Sequence, residues 1–510
     1  MQNISEKRMK FEIGFLLISV FLIAICGIVY ELSIGNLSSY LMGNTVVQYS
    51  ITIGSFMFAM GVGSFLSRYI QKDLIDVFIL IELAVGIFGG FSAVFLLYAY
   101  SSFHYYTIAM FGTIFIIGIL IGVEIPVLTR LIDHRYKDIK ISISNALGFD
   151  YIGALIGSIG FSIFLLPKFG IITSSYILGL LNILVVFMNI GVYFKDIRFK
   201  KTLAIMTLIT FIGLIYGLIT AGPVSLILEQ KLYRDRMIYL EQTPYQKIVM
   251  TRNKEDFRLF LDGNIQFSST DEYRYHEALV HPAMLAAKKA ENILVLGGGD
   301  GLAVREILKH DSVKKVTLVD LDPAMTKLAK THKRLLELNL DSLENPKVQV
   351  LNQDAYQFVE KTTEKFDVIL IDLPDPNIDA LSKLYSKTFY QMIGDRLTAG
   401  GVVTIQSTSP YFAPKVYWCI RKTMAASGLD TSGYHLEVPT FGDWGFTIAS
   451  NEPLNLKRRN VTIATRFLTD EQMDVMFVFA KDLEAPEVEV NGIISPVILE
   501  YYHQSWKYWN

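Results

Sequence analysis

Acids recur at one kind of position in the second half of this chain. Asp300 lies inside Gly297-Gly298-Gly299-Asp300-Gly301, and Asp320 closes Lys315-Val-Thr-Leu-Val. Asp354 follows Val348–Leu351, and Asp372 and Asp375 follow Phe366-Asp-Val-Ile-Leu-Ile. Each preceding run, with Asn292–Leu296 before the glycines, is short, apolar and rich in β-branched residues, the pattern of a buried strand. The carboxyl ends of such strands form the ligand crevice of an open α/β sheet. One aspartate at a strand end is ordinarily a turn or cap residue. Recurrence at successive ends predicts that Asp300, Asp320, Asp354 and the 372/375 pair converge on one crevice.

The elements that must position them read as strand, glycine-rich turn, helix (Leu302–Lys309), strand, acid. Gly297 and Gly299 permit a tight turn and close approach of a ligand to the backbone, and an acid about twenty residues on can hold ribose hydroxyls. Asp300 inside the turn would repel a pyrophosphate and welcome a cation. That combination points to a nucleoside without phosphates, such as adenosylmethionine or a relative. Ahead of this unit, Met237–Leu240, Lys247–Thr251, Arg258–Leu261 and Ile265–Ser268 read as short strands, with Asp262-Gly263 as a hairpin turn. A helix is expected from about Tyr273 to Ala290.

The pieces Thr243-Pro-Tyr-Gln246, Leu261-Asp-Gly-Asn-Ile-Gln266, Asp271-Glu-Tyr-Arg-Tyr275-His276-Glu277, Gly297–Gly301 and Asp372-x-x-Asp375-Pro376, in this order and spacing, resemble the spermidine synthase family of aminopropyltransferases. The resemblance covers about 243–450, and the first half is similar to the membrane domain fused to some bacterial members. It implies transfer of the aminopropyl group of decarboxylated S-adenosylmethionine, a co-substrate and not a bound cofactor, to putrescine or a related amine, giving spermidine and methylthioadenosine. It further implies that Gln246, Gly297, Gly299, Asp320, Asp354 and Ala355 hold the nucleoside part of the donor and Asp300 its amine end. Tyr275, His276 and Asp375 would shape the amine pocket, with Asp372 as proton acceptor and Tyr275 beside it in catalysis. A homodimer through the soluble part is also implied. Leu373-Pro374, Asp379 and Phe441 depart from the family's usual residues, and each could alter acceptor choice. Two rival readings share the pattern. One is a methyltransferase on the same fold, and the other a membrane polyamine transporter or sensor with a nucleoside-binding soluble domain.

Length and composition divide the 510 residues. Hydrophobic residues are 51% and charged residues 19%, with net charge −2, which gives no case for nucleic-acid binding. Cys26 and Cys419 lack metal-ligand spacing and read as packing residues, and no metal site is expected. Apolar runs at roughly 11–30, 46–67, 75–99, 106–129, 147–167, 169–194 and 202–222 are each long enough to cross a bilayer. The expected organisation is therefore a multi-pass α-helical membrane domain of about seven helices over 1–222 and a connector lying on the membrane surface at 223–236. A small β-unit with its leading helix follows at 237–290, then a Rossmann-like, methyltransferase-type α/β domain at 291–510. Gly61, Gly63 and Ser64, and the Gly153, Gly157, Gly160 series, would allow helices to approach closely. Glu31, Glu82, Glu124 and Asp150 fall in or at the ends of these runs. Glu31 and Asp150 suit the interface, whereas Glu82 and Glu124 suit either bonds to neighbouring helices or a cavity for a small organic cation.

Lys and Arg mark cytoplasmic loops. Lys7, Arg8 and Lys10 precede the first run, Arg68 and Lys72 follow the second, Arg130, Arg135, Lys137 and Lys140 the fourth, and Lys195, Arg198, Lys200 and Lys201 the sixth. With an internal N-terminus, full crossing by all runs would put the enzyme outside. The donor implied by the resemblance is cytoplasmic, so either one run does not fully cross, a short eighth span follows, or the enzyme works outside. The catalytic domain is expected in the cytoplasm, with 202–222 as the re-entrant candidate.

Overall fold

A computed structural model describes residues 2–103, 105–136, 139–456 and 461–509. Lys137, in the charge pattern above, lies outside them. The chain forms two compact units, Met1–Arg236 and Met237–Asn510.

Unit 1 is helical: α1 (Gln2–Met42), α2 (Thr45–Leu66), α3 (Leu74–Phe103), α4 (Tyr106–Tyr136), α5 (Ile139–Gly160), α6 (Leu166–Tyr193) and α7 (Lys200–Gln230), with a π-helical turn at Phe161–Leu165 between α5 and α6. By length and composition it holds six helical runs able to cross a membrane, one of them the 51 residues Ile143–Tyr193. That run is not one rod. Gly170 adopts φ 72° and ψ 175°, and the Ser174 hydroxyl donates to the Leu165 carbonyl at 3.2 Å. Nine residues of unbroken helix would separate such groups by about 13 Å. The chain therefore doubles back at Gly170, and α5 and α6 are separate apolar helices.

Small residues set the packing. A Cβ on Gly63 would lie 2.1 Å from the Ile119 carbonyl, and one on Gly122 would lie 2.1 Å from that of Met60, so α2 and α4 touch backbone to backbone. Gly153 meets Phe21 and Gly157 meets Ile25 in the same way, joining α5 to α1, whereas Gly61 and Gly160 face open space. The outer surface carries exposed Phe65, Ile108, Ile163 and Ile219, an apolar surface compatible with lipid.

Two sequence expectations need correction here. Helix α1 runs twelve residues past Tyr30, so Glu31 lies within it and is buried, not at its end. Helix α7 continues through Pro223 to Gln230, so the first part of the expected connector is helix. The same helix is unbroken over 202–222 and apolar on all sides. By length and composition it can cross a membrane in full.

Unit 2 opens with an antiparallel sheet of β1 (Arg236–Gln242), β2 (Lys247–Asn253), β3 (Asp256–Leu261) and β4 (Asn264–Ser268), in that order. Asp262 and Gly263 both have positive φ at the β3–β4 turn, as a two-residue primed turn demands. Then come α8 (Glu272–Ala286), β5 (Asn292–Gly297), α9 (Leu302–Ile307), β6 (Lys315–Asp320), α10 (Pro323–Thr331), α11 (Lys333–Asn339), β7 (Val348–Asn352), α12 (Ala355–Lys361) and β8 (Phe366–Asp372). The chain continues through α13 (Asp379–Ser382), α14 (Lys387–Arg396), β9 (Leu397–Gln406), α15 (Pro414–Ala426), β10 (Asp430–Val438), β11 (Gly442–Ser450), α16 (Asp470–Met476) and α17 (Val497–Trp509). The large sheet has the order β10-β11-β9-β8-β5-β6-β7. β5 pairs parallel with both β6 and β8, and β11 pairs antiparallel with β9 and β10. From β5 the chain winds outward through β6 and β7, then returns to β8 on the other side. The switch point therefore falls between β5 and β8, where such folds bind ligands.

Candidate active site

At the switch point Gly297 pairs with Asp372 across β5 and β8. A Cβ on Gly297 would sit 2.0 Å from the Asp372 carbonyl oxygen, so only glycine fits. Gly298 donates its N–H to that oxygen at 3.2 Å, and Gly299 donates to Asp320 Oδ2 at 3.0 Å. The Asp300 carboxylate accepts from the Leu302 N–H at 2.9 Å, opening α9. From behind, Asn339 Nδ2 donates to the Asp300 carbonyl at 2.9 Å and Ser342 Oγ to the Gly301 carbonyl at 2.7 Å. The glycine loop is thus tied to the ends of β6 and β8 at once.

Helix α8 faces this loop. Tyr275 donates its hydroxyl to Asp372 Oδ1 at 2.6 Å. Its ring packs edge-on against His276 and Phe441, with centroids 5.0 and 6.0 Å away, and Phe441 leans on Trp444 at 4.9 Å. His276 Nδ1 lies 2.9 Å from Glu272 Oε2. Arg305 from α9 grips both oxygens of Glu272 at 2.8 and 2.9 Å. Glu272, His276 and Arg305 form a buried chain that ties the start of α8 to the helix after the glycine loop.

Electrostatics follow from burial. Burial alone would lower the His276 pKa, but the Glu272 hydrogen bond and charge, with Asp300 and Asp372 behind, raise it to about 9. Burial pushes Asp300 up to about 6, against the pull of His276 and with the push of Asp372. Burial likewise pushes Asp320 up to about 6 against the N–H groups of Asp322 and Gly299. It raises Asp375 to about 6 against hydrogen bonds from Gln406 and Tyr502. Asp372 is raised by burial and held back by His276 and by the Tyr275 hydroxyl. A crevice of carboxylates that ionise reluctantly gains from a bound cation, which restores their preferred charge.

The sequence-derived residues do not all gather equally. Asp300, Asp372, Tyr275 and His276 form one cluster, with Asp320 on the far side of Gly299 and Asp375 one turn beyond Asp372. Asp354 stands apart: it caps α12 through the Gln357 N–H and takes Lys383 at 3.0 Å. Burial would raise Asp354, but Lys383 and that N–H bring it below the usual carboxylate range. Ala355 is buried at the first turn of α12. Gln246 donates to Asp322 Oδ2 at 3.0 Å, and Thr243 does so at 2.9 Å. Of the departures, Leu373 and Pro374 contribute only carbonyls, to Gln406 Nε2 at 2.7 Å and to the Tyr385 hydroxyl at 2.8 Å. Asp379 is exposed at the start of α13.

Several residues of this site were not singled out from sequence. Asp322 had a readable signal, an acid just before Pro323 at a helix start. Glu272 and Arg305 pair across 33 positions, and Gln406 binds both the Leu373 carbonyl and Asp375 from the end of β9; no local pattern marks them.

Residues 272–460 match the spermine/spermidine synthase domain. The polyamine aminopropyltransferase of Leptospira interrogans is 44% identical, over 96% of this chain and 98% of the relative. That of Oceanobacillus iheyensis is 42% identical, over 95% and 96%. Polyamine aminopropyltransferase 2 of Ralstonia nicotianae is 40% identical, over 96% and 98%. A crystal structure of a spermidine synthase in complex with the transition state analogue AdoDATO is similar at 27% identity, over 49% of this chain and 88% of that one, with TM-score 0.46.

The Glu272–His276 contact makes a pH prediction. His276 titrates near 9 in the fold and at about 6.5 when unfolded. Its raised pKa therefore contributes stability that is full below about 6.5 and is lost as pH rises through about 9. Glu272→Gln removes the main partner and leaves only Asp300 and Asp372 against burial, so the His276 midpoint should fall well below about 9. The pH-dependent loss of stability between about 6.5 and 9 should then shrink. NMR titration of His276 and urea unfolding of the full-length protein at stepped pH read both. An unchanged His276 midpoint in the variant would show that Glu272 does not set it.

Proposed function

The chain belongs to the polyamine aminopropyltransferase family, and we propose that unit 2 passes the aminopropyl group of decarboxylated S-adenosylmethionine to putrescine at the crevice between β5 and β8. The products are spermidine and methylthioadenosine. What supports the reading best is Asp372, a carboxylate made more basic by burial, oriented by the Tyr275 hydroxyl at 2.6 Å and flanked by Asp300 and Asp375.

Alkyl amines have pKa values near 10, so putrescine arrives protonated and cannot attack. In this proposal Asp372 takes one proton from the attacking nitrogen, and burial makes it a stronger base than a surface aspartate. The nitrogen lone pair forms the bond to the propyl carbon beside the sulfonium. The carbon–sulfur bond breaks with its electron pair going to sulfur, which leaves as a neutral thioether. Asp300 holds the ammonium of the donor's aminopropyl arm, and Asp375, steadied by Gln406, holds the distal ammonium of the acceptor. Asp320 binds the ribose hydroxyls, with the Gly297–Gly299 backbone approaching the nucleoside. Gln246 and Asp322 form the wall beside it, and Ala355 offers the amide at the start of α12. His276, as a cation locked to Glu272, keeps Asp300 and Asp372 ionised before substrate arrives. Alignment of amine, carbon and sulfur supplies the rest of the acceleration. An acidic crevice also disfavours the carboxylate of ordinary S-adenosylmethionine. Product mass separates this reaction from methyl transfer: methylthioadenosine marks the first and adenosylhomocysteine the second.

Unit 1 is proposed to cross a lipid bilayer. With α5 and α6 as separate crossings and α7 unbroken, the count is odd, so unit 2 lies across the membrane from the N-terminus. A cytoplasmic unit 2, which the donor's supply favours, therefore requires an external N-terminus against the bias of its basic loops. Lys231, Arg234 and Arg236 after α7 are the charges that favour it.

Asp372→Asn is nearly isosteric and removes the base. Turnover should fall by about 10²–10⁴-fold while methylthioadenosine still binds. A variant that kept about half of wild-type turnover would remove Asp372 from the mechanism. Asp300→Asn should weaken the decarboxylated donor by about 1.5–3 kcal/mol and methylthioadenosine much less, since only the donor carries the ammonium. Calorimetric titration of both ligands reads this, and equal weakening would place Asp300 away from the amine. For topology, single cysteines introduced before residue 10 and after residue 240 are treated with an impermeant maleimide in intact cells. One should react and the other should not; identical behaviour of the two would refute the odd count, and the reactive one identifies the outer side.

A further inference from the structure

Unit 1 carries a group of polar side chains that the reaction does not use. Glu82 on α3 and Glu124 on α4 are 0% and 1% exposed. Their carboxyl groups face one another, and among the described residues no hydroxyl, amide or cationic donor reaches either oxygen of Glu82 or Oε2 of Glu124. Two further buried groups adjoin them. Tyr30 on α1 is fully buried, its hydroxyl has no partner, and it lies within electrostatic reach of Glu82. Asn182 on α6 is fully buried with both amide atoms unpartnered, and it packs at Gly86, one turn from Glu82. Four helices thus bring unsatisfied polar groups to one point. The ranges 11–67, 73–129 and 169–194, which carry these four residues, contain neither Lys nor Arg.

Leaving buried polar groups unpaired costs about 1–3 kcal/mol each, and more for a charge. One proton shared between Glu82 and Glu124 would still leave the pair with a negative charge, and protonating both would leave Tyr30 and Asn182 unsatisfied. An ammonium group presents three donors, enough for Glu82, Glu124 and the Asn182 oxygen together, and the Tyr30 ring suits a cation as well. A pocket lies on the same helix faces, with buried Ile79 and Leu128 between it and the acids. Its volume is 290 Å³, and it is lined by Leu16, Gln71, Asp73, Ile75, Leu131 and Asp196, among others. Ile75 and Leu131 are each seven residues from Glu82 and Glu124, two turns along the same face, so the acid pair lies about 10 Å beyond the pocket. Asp73 and Asp196 give its mouth negative groups, with Arg198 3.4 Å from Asp73.

We propose that the helical bundle of unit 1 holds a second cation site, built from Glu82, Glu124, Tyr30 and Asn182, that takes a small organic ammonium ion of the kind unit 2 uses or makes. The choice of ligand rests on the reading of unit 2; the site itself does not.

The test counts radiolabelled spermidine bound per full-length chain in nanodiscs by equilibrium dialysis. Glu82→Gln should remove one equivalent, or weaken it by about tenfold or more, and leave turnover unchanged. Asp372→Asn paired with Asp375→Asn should abolish turnover and leave that equivalent in place. Turnover reads unit 2 and the retained equivalent reads the bundle, so either can fail without the other. Should Glu82→Gln not fold, the wild-type protein is treated with dicyclohexylcarbodiimide and the Glu82 and Glu124 peptides are followed by mass spectrometry, where spermidine should slow their modification. Binding unchanged by Glu82→Gln, an equivalent lost with the Asp372 and Asp375 pair, displacement by equimolar sodium, or carbodiimide modification that is absent or unaffected by spermidine would each overturn the proposal.

Discussion

The grip of Arg305 on Glu272 is the constraint on which the site depends. Arg305 stands one turn into the helix that follows the glycine loop, and Glu272 opens the helix that carries Tyr275 and His276. Their two hydrogen bonds, at 2.8 and 2.9 Å, fix the first turn of α8 against the loop. Breaking such a buried pair costs about 3–5 kcal/mol, mostly because the survivor is left charged and alone. With α8 fixed, Tyr275 reaches Asp372 and His276 stands beside Asp300 and Asp372. The catalytic geometry is thus set by a contact that touches no substrate.

That contact also limits what the crevice costs. Asp300, Asp320 and Asp375 are each pushed up to about 6. An acid whose pKa is raised in the fold favours the folded state only while protonated, so stability falls as pH rises from about 3.9 through about 6. At neutral pH these groups strain the free enzyme, and a bound cation relieves them. One buried cation, His276, offsets part of the strain in advance without filling the space an amine would occupy. The stability given up in the empty crevice reappears as affinity for positively charged ligands.

What could be read from sequence follows from what is local. The strand, glycine turn, helix, strand and acid between Asn292 and Asp320 are contiguous, and steric demand at Gly297 leaves a visible residue choice. The Asp262-Gly263 turn is legible because two successive positive φ angles admit few residues. Arg305 reveals nothing by its neighbours, because its partner lies 33 positions away. Asp354 looked like its fellows at a strand end, yet Lys383, approaching from beyond β8, takes its carboxylate. In unit 1 the single acid Glu31 was read as a helix end, although Leu32, Ile34 and Leu37 continue the apolar pattern beyond it. The apolar run ends before Pro223, yet neighbouring turns carry the helix through one missing donor.

The two units treat buried acids in opposite ways. In unit 2 every acid of the crevice has a donor: backbone N–H groups for Asp300 and Asp320, a phenol for Asp372, an amide for Asp375. Glu272 goes further and holds two cations. In unit 1 Glu82 is as deeply buried as Glu272, and neither of its oxygens is met. A soluble core could tolerate such a residue by admitting water, and a bundle placed in lipid, as proposed for unit 1, would have less access to it. Glycines bring these helices into backbone contact, so the bundle is not loose around the acids; it is tightly packed, and several of its unmet polar atoms gather here, with Ser33, Thr52 and Asn189 each carrying another among the described residues. Chance placement of an acid in a helix would expose it to lipid or pair it with the nearest serine. Placement on facing helices, with a phenol and an amide also lacking partners, is the arrangement expected of a site whose missing partner comes from outside the chain.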